Sequence, residues 1–385
     1  MTVSYNLFYV VFFISSSFLY LTIFIKRYFR EHPVINDILG IIFICLFSLW
    51  ASFRPKTVPD TRNYYGIYSI IDKISFGFGG VFNRVKAVDA EYGFALLTRF
   101  LKMLGCSFMI YMFIIALIIN ITTVLGIRFM CEYIDKKHKY DYFTVFVLFL
   151  IFLGLHNFCI AVRAGLSIGF GLCGIGVFLK YKKTVLAVLL ILLSILFQSM
   201  GIVFVPIMIM CAVKINLEKK QFLYIWLASF FLVLLGIPGY FVKIIVKILL
   251  LIISRLGVSA FNEYLEATSG GGNAAINVIF RVFSFGLITW MAYRKDEKFK
   301  KIAVVMLLGI LAQTFCYPIE GLYRVMEYLF IFIIPIIAVV IKNSRKCITK
   351  YDICYLIYYI FLIMQIRLCY SPEKEGQENV FSLIT

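Results

Sequence analysis

Charge is scarce in this 385-residue chain, with 15% Asp, Glu, Lys and Arg against roughly a quarter in a soluble domain. Beside 62% hydrophobic residues, that shortage excludes a water-soluble fold, because no soluble core absorbs so much apolar surface. Lipid does, provided every backbone polar group is satisfied within helices. The apolar runs lack strict alternation, which excludes a transmembrane β-barrel. No CxxC pair and no metal-ligand spacing occurs, so Cys45, Cys159, Cys173 and Cys211 read as buried free thiols inside apolar runs. Gly270-Gly271-Gly272 lacks the Gly-Lys-Ser/Thr context of a phosphate loop. Outer loops carry no Asp-x-Asp, so neither metal nor other cofactor is expected. No small-residue cleavage site follows Tyr5 to Ile25, which reads as a first span rather than a removable signal.

Acidic residues are the scarcer charge, 20 against 38 basic, for a net charge of +18. In a soluble chain that excess points to nucleic acid. Here cytoplasmic loops account for it, since they collect Lys and Arg, and no nucleic-acid partner is expected. Tyr5–Ile25 runs inward to Lys26, Arg27 and Arg30, and Val34–Phe53 returns outward. Residues 54–106 form an outer loop, with Ala90–Gly105 interfacial or re-entrant. Ser107–Met130 runs inward to Lys136, Lys137 and Lys139, Tyr142–Phe158 outward, and Cys159–Leu179 inward to Lys180, Lys182 and Lys183.

Thr184–Val213 has basic clusters at both ends, which a single crossing cannot give. It therefore reads as a helical hairpin turning at Gln198-Ser199-Met200-Gly201. Each arm has about 14 residues, or about 21 Å of helix, short for the roughly 30 Å of hydrocarbon. Phe222–Ile237 runs outward to a second outer loop, 239–275, with an interfacial helix punctuated by Lys243, Lys247 and Arg255. Ile276–Tyr293 runs inward, Ile302–Tyr317 outward, Gly321–Ile341 inward and Ile353–Cys369 outward. The expected architecture is all-α, a polytopic transmembrane helical bundle forming one integral membrane domain over 1–385, with about twelve crossings.

Polar residues left on the outer side fall into three groups. The first is Arg54-Pro55, then Asp60-Thr61-Arg62-Asn63-Tyr64-Tyr65, then Glu91-Tyr92-Gly93-Phe94. The second is Arg163-Ala164-Gly165-Leu166-Ser167 with Gln198-Ser199. The third is Glu320-Gly321-Leu322-Tyr323-Arg324, continuing to Glu327-Tyr328. Guanidinium forks match phosphate oxygens, Tyr rings suit apolar sugar faces, and carboxylates take hydroxyl protons. The set fits an anionic, lipid-linked glycan. Bland readings stand beside it: Asp60 caps a helix starting at Thr61, Glu91 caps or pairs with Arg99, Glu320 pairs with Arg324, and Tyr64, Tyr65 and Tyr68 form an interfacial belt. Arg163 and Arg324 either mark function or snorkel, and Arg281 is expected to snorkel to the interface.

In order and spacing these motifs resemble the Wzy-type polysaccharide repeat-unit polymerases, in their EpsG-like branch. The shared pattern is Arg54, Asp60 to Tyr65, Glu91 to Phe94, Arg163 to Leu166, Phe197-Gln198-Ser199 and Arg324 to Tyr328. The resemblance implies a GT-C-like fold in a bacterial inner or plasma membrane. It implies an extracytoplasmic, metal-independent glycosyltransferase that joins repeat units of capsular, exo- or O-antigen polysaccharide. Donor and acceptor would be polyprenyl-diphosphate-linked glycans, with membrane lipid, a flippase and a chain-length regulator as further partners. Arg163, Arg324, Asp60 and Glu91 would be catalytic. Arg54, Thr61, Tyr64, Tyr65, Gln198, Ser199, Glu320 and Tyr323 would bind substrate. One position departs: Gln198 stands where family members often have His, and Gln is no base near neutral pH. His32 and His138 lie on the cytoplasmic side, leaving His156 as the candidate replacement.

The alternative is a lipid-linked oligosaccharide flippase, although no repeat of two similar halves is visible. A membrane O-acyltransferase lacks its buried His, and a scaffold leaves three Arg-bearing motifs unexplained. Topology is directly testable. In a cysteine-free background, Asn262→Cys is expected to react with an impermeant thiol reagent in intact cells and Arg294→Cys to resist it. Labelling of Arg294→Cys from outside overturns the charge-based orientation.

Overall fold

The computed structural model describes residues 33–54, 60–74, 84–85, 90–150, 160–213, 215–238, 272–316 and 328–343. Among them the fold is all-α, with twelve helices. These are α1 (Pro33–Ser52), α2 (Thr61–Ile70), α3 (Tyr92–Met103), α4 (Phe108–Ile134), α5 (Tyr142–Phe149) and α6 (Val162–Tyr181). They continue with α7 (Thr184–Phe197), α8 (Phe204–Ala212), α9 (Lys219–Leu234), α10 (Gly272–Lys295), α11 (Lys300–Cys316) and α12 (Ile333–Asn343). A two-stranded antiparallel ribbon pairs β1 (Arg84–Val85) with β2 (Ala90–Glu91). Among the described residues three helices are long and apolar enough to cross a membrane, over Val34–Ser52, Phe108–Ile134 and Val162–Tyr181. Large apolar side chains remain exposed along α1 (Val34, Ile38, Ile41) and α7 (Val185, Leu189). Such faces suit lipid and are costly against water. The chain is a multi-pass membrane protein.

Two compact units divide the chain, one over Met1–Val205 with Ser344–Thr385, the other over Pro206–Asn343. In the first unit, side-chain pairs fix the helix directions. Asn120 on α4 donates to the Ser48 hydroxyl on α1 at 2.9 Å. Arg128 lies 3.8 Å from Asp37 near the opposite end of the same two helices, so α1 and α4 are antiparallel. The rings of Phe43 and Phe47 meet those of Phe143 and Phe146 in order, so α5 runs parallel to α1.

Helices α4 and α6 run parallel and very close. A Cβ at Gly126 would lie 2.5 Å from the Leu172 carbonyl carbon, and one at Gly176 would lie 2.7 Å from the Gly126 carbonyl oxygen. Small residues at such a seam let two backbones approach, which is how membrane helices gain packing energy in lipid. At the far end of the seam, Glu132 binds both Arg128 (3.1 Å) and Lys180, and the Arg128 guanidinium stacks over Tyr142 at 4.2 Å. Helix α6 ends at Lys182, whose backbone is left-handed (φ 59°). The turn leads directly into α7, which returns antiparallel to α6. Ser167 and Ser194 hydroxyls lie 3.0 Å apart, and a Cβ at Gly174 would touch the Ala187 carbonyl.

The second unit packs α9, α10, α11 and α12. The Trp226 indole on α9 donates to the Val282 carbonyl on α10 at 3.0 Å. Phe330 bridges Phe285 on α10, at 5.0 Å between ring centroids, and the Gly309 face of α11. Asp296 caps the 3-10 turn Glu297–Phe299 that reverses the chain between α10 and α11.

Several expectations change. The 184–213 run is broken, as its flanking charges require: α7 stops at Phe197, a 3-10 turn covers Ser199–Val203, and α8 follows. The outer loop expected to reach Ala275 ends earlier, because α10 starts at Gly272. The Gly321–Ile341 span is interrupted, since residues 331–332 form a turn and α12 starts at Ile333. The 54–106 segment holds α2, α3 and the ribbon, and of these the ribbon was not expected. Arg281 does not snorkel but is buried on α10, 7% exposed. The proposed first span, residues 243–255, His156 and the last span lie outside the described residues.

Overpacking a tight core contact costs about 1–3 kcal/mol, so Gly126→Ala and Gly176→Ala are expected to lower the unfolding midpoint in detergent. A Cβ at Gly66 on α2 meets nothing within 4 Å, and Gly66→Ala is expected to hold or raise that midpoint. Differential scanning fluorimetry of the three variants compares them directly.

Candidate functional site

The site occupies the end of the first unit where α1 and α7 finish and α4 and α6 begin. That is the end opposite Lys136, Lys137, Lys139 and the Lys180–Lys183 cluster. Arg54, two residues past α1, is buried at 5% exposure. Its Nη2 lies 3.3 Å from the Met112 sulfur on α4, and its guanidinium lies 5.9 Å from the Tyr64 ring centroid.

Helix α2 starts at Thr61, as the Asp60 reading allows, but not by the expected cap. Asp60 has left-handed backbone (φ 62°) and its side chain makes no capping bond. The carboxylate stays exposed. Thr61, Tyr64 and Ile67 form the buried face of α2. The Tyr64 ring packs on Phe94 at 5.6 Å. Burial, assisted by the Asp60 charge and opposed by Arg163 and Arg54, pushes its phenol up to about 12. Tyr64 is therefore neutral at physiological pH, a hydrogen-bonding group and not a base. Tyr65 is exposed and meets Phe108 edge-on.

Glu91 ends β2 just before α3, and its carboxylate accepts from Arg163 Nη1 at 2.8 Å. The Glu91 side chain is 7% exposed and that of Arg163 is 25% exposed. Tyr64 hydrogen-bonds the same guanidinium. The carboxylate thus holds the guanidinium, with the phenol beside it. The readings of Glu91 as a helix cap or a partner of Arg99 are thus corrected. It makes no side-chain cap bond, and Arg99 donates to the Ile74 carbonyl at 3.2 Å. The ribbon brings Glu91 to Arg163, and local spacing does not reveal a ribbon.

The break after α7 lies at the site. A Cβ at Gly93 would lie 2.7 Å from the Leu196 carbonyl oxygen, so α3 begins directly on the last turn of α7. Gln198 follows that turn with extended backbone, and Ser199 is exposed beside it. Two further residues, absent from the sequence-level set, support the floor. Thr98 donates to the Phe94 carbonyl at 2.8 Å, which uses its single proton, so Tyr111 donates to Thr98 at 2.9 Å. A buried Thr and Tyr in apolar helices carry no sequence signal beyond that polarity.

The structure thus gathers Arg54, Thr61, Tyr64, Glu91, Arg163 and the 198–199 turn at one end of one unit. Glu320, Tyr323 and Arg324 lie outside the described residues. Among the described residues, no three His, Cys, Asp or Glu side chains group to hold a metal ion. In the second unit Gln313 is fully buried, with neither amide atom hydrogen-bonded among the described residues; this too the sequence reading missed.

A bundle of apolar helices with a buried carboxylate–guanidinium–phenol cluster at one end defines a multi-pass membrane protein with a polar site. Residues 37–376 match the EpsG family, and the chain belongs to that family, which is linked to exopolysaccharide synthesis. No match is found among curated proteins or among solved structures.

Removing Glu91 from this part-buried pair leaves the Arg163 charge uncompensated, at a cost below the roughly 3 kcal/mol of a fully buried pair. Glu91→Gln is expected to lower the unfolding midpoint for that reason. Glu91→Gln combined with Arg163→Met is expected to cost less than the sum of the two singles, with a coupling of about 1–3 kcal/mol. Additive losses in that cycle would show that the pair contributes nothing.

Proposed function

We propose that this protein is a glycosyltransferase that polymerises polyprenyl-diphosphate-linked repeat units on the extracytoplasmic face of a bacterial cell membrane. The observation that carries the reading is the Glu91–Arg163–Tyr64 cluster beside Arg54, in a chain of the EpsG family. Its position opposite the lysine-rich end supports the outward placement. The full bundle in this reading has about twelve spans, with membrane lipid, a flippase and a chain-length regulator as neighbours.

In the reaction, an acceptor hydroxyl oxygen bonds to the anomeric carbon of the donor glycan. The bond from that carbon to the diphosphate oxygen breaks, and the lipid diphosphate leaves with the electron pair. Arg163, with Arg54 and Arg324, neutralises the charge that builds on the leaving group. Asp60 takes the hydroxyl proton. Of the two carboxylates expected as base, Asp60 is the better suited, because it is exposed and caps nothing, whereas Glu91 is engaged by Arg163. Glu91 then acts as a positioning residue, holding the fork that Tyr64 also orients. Tyr65 and Ser199 contact sugar, with Thr61 supplying a buried hydroxyl at the same end, and Glu320 and Tyr323 are assigned the same role from the sequence. No step calls for a metal.

Lys at 163 keeps the charge and loses the bidentate fork. One such contact in an occluded site is worth about 3 kcal/mol, roughly a hundredfold in rate. With a lipid-linked repeat unit in proteoliposomes, wild-type protein is expected to build a ladder of longer products. Arg163→Lys is expected to fold normally and build it about a hundredfold more slowly, and Asp60→Asn to bind substrate without extending it. A transporter separates cleanly in cells: its loss strands repeat units on the inner leaflet, whereas polymerase loss displays single units outside. Accumulation on the inner leaflet in the Arg163→Lys strain would replace polymerisation by transport.

A further inference from the structure

A buried amide oxygen without a hydrogen-bond donor is a standing cost to the fold, and Gln198 carries one. Its backbone is satisfied: its N–H donates to the Ser194 carbonyl at 3.1 Å, and its carbonyl accepts from Gly201 N at 2.8 Å. Its side-chain Oε1 is buried and has no hydrogen-bond partner among the described residues. The residue as a whole is half-buried, although Oε1 itself is covered.

Helix register sets its neighbour. Ser167 on α6 and Ser194 on α7 are in contact across antiparallel helices, with hydroxyls 3.0 Å apart. Arg163 precedes Ser167 by one turn, and Gln198 follows Ser194 by one turn. Arg163 and Gln198 therefore both lie on the site side of the serine pair, on adjacent antiparallel helix ends, with Gly201 packed against the two hydroxyls. On the third side, α3 starts against Leu196 and brings Glu91 onto Arg163.

The two groups make opposite demands. A guanidinium attracts phosphate oxygens. A carbonyl oxygen only accepts, so an ionised phosphate oxygen cannot satisfy it, whereas a hydroxyl or amide N–H can. We propose that Gln198 accepts a hydrogen bond from a sugar hydroxyl or amide next to the phosphate that Arg163 holds. The site then reads a sugar phosphate and not phosphate alone. This rests on the glycan-polymerase reading and adds to it the residue that recognises the sugar.

The proposal carries a stability signature that a structural role does not. Replacing an unsatisfied buried polar group by an apolar side chain of similar size stabilises the fold, so Gln198→Leu raises the ligand-free unfolding midpoint by about 2 °C. The probes are bare polyprenyl diphosphate and the same lipid carrying the repeat unit from cells lacking this protein, each titrated against nanodisc-embedded protein. Gln198→Leu is expected to bind the bare lipid as wild type does and the glycosylated lipid about tenfold more weakly, the value of one hydrogen bond. Gln198→Met makes the same test should the leucine variant fail to fold. Unchanged binding of the glycosylated lipid, or a lowered midpoint, overturns the role of Gln198. Wild-type protein that neither distinguishes the two lipids nor extends the glycan overturns the polymerase reading itself, a separate result.

Discussion

A guanidinium at the start of a membrane-crossing helix has to be neutralised before the helix can pack among apolar neighbours. Arg163 meets that demand through Glu91, and the pairing has consequences beyond the two residues. It ties the first turn of α6 to the ribbon formed by Arg84–Val85 and Ala90–Glu91. The ribbon delivers α3, whose first turn sits on the end of α7 at Gly93. Tyr64 on α2 joins the same guanidinium, so that helix docks as well. One ion pair thus links five elements, beside apolar contacts such as Tyr64 on Phe94 and Phe170 on Phe197.

The other end of the unit answers the same problem differently. Arg128 and Lys180 lie within the α4–α6 seam, and Glu132 sits between them. Asp37 adds a second carboxylate from α1. Both ends of the parallel α4–α6 pair are therefore closed by ion pairs, while the middle relies on glycine contact. Close approach and charge pairing are complementary there. The seam leaves no room for a slide along the axis, and the charges leave no reason for one. A polar site at such an end inherits rigidity from the packing beneath it, which a positioned guanidinium needs in order to act on a developing charge.

Much of the fold was legible because the bilayer imposes long apolar runs and charge sorting on any chain that crosses it. Val34–Phe53 and Ser107–Met130 match observed helices within a few residues. The break at Gln198 followed from two lysine clusters flanking one run. Errors arose where local pattern competes with packing. Glu91 looked like a cap because it precedes a helix, and Arg281 looked interfacial because arginine usually snorkels. Thr98 and Tyr111 were overlooked, since a hydroxyl inside an apolar helix announces nothing until its partner is known.

By itself, the sequence determined the class of protein: a helical membrane chain, with lysine clusters at one end of the first unit and Arg54 and Arg163 at the other. It also supplied the residue types of the site, because scarce polar groups stand out among apolar ones. Only the tertiary structure decided which of them touch. Residues 91 and 163 lie far apart in the chain, and the contact depends on a ribbon of two-residue strands that leaves no periodic trace. The same holds for Gln198, whose place one turn beyond the Ser167–Ser194 contact follows from the packing of α6 on α7. Pairing of that kind is a property of three packed helices, and no single segment encodes it.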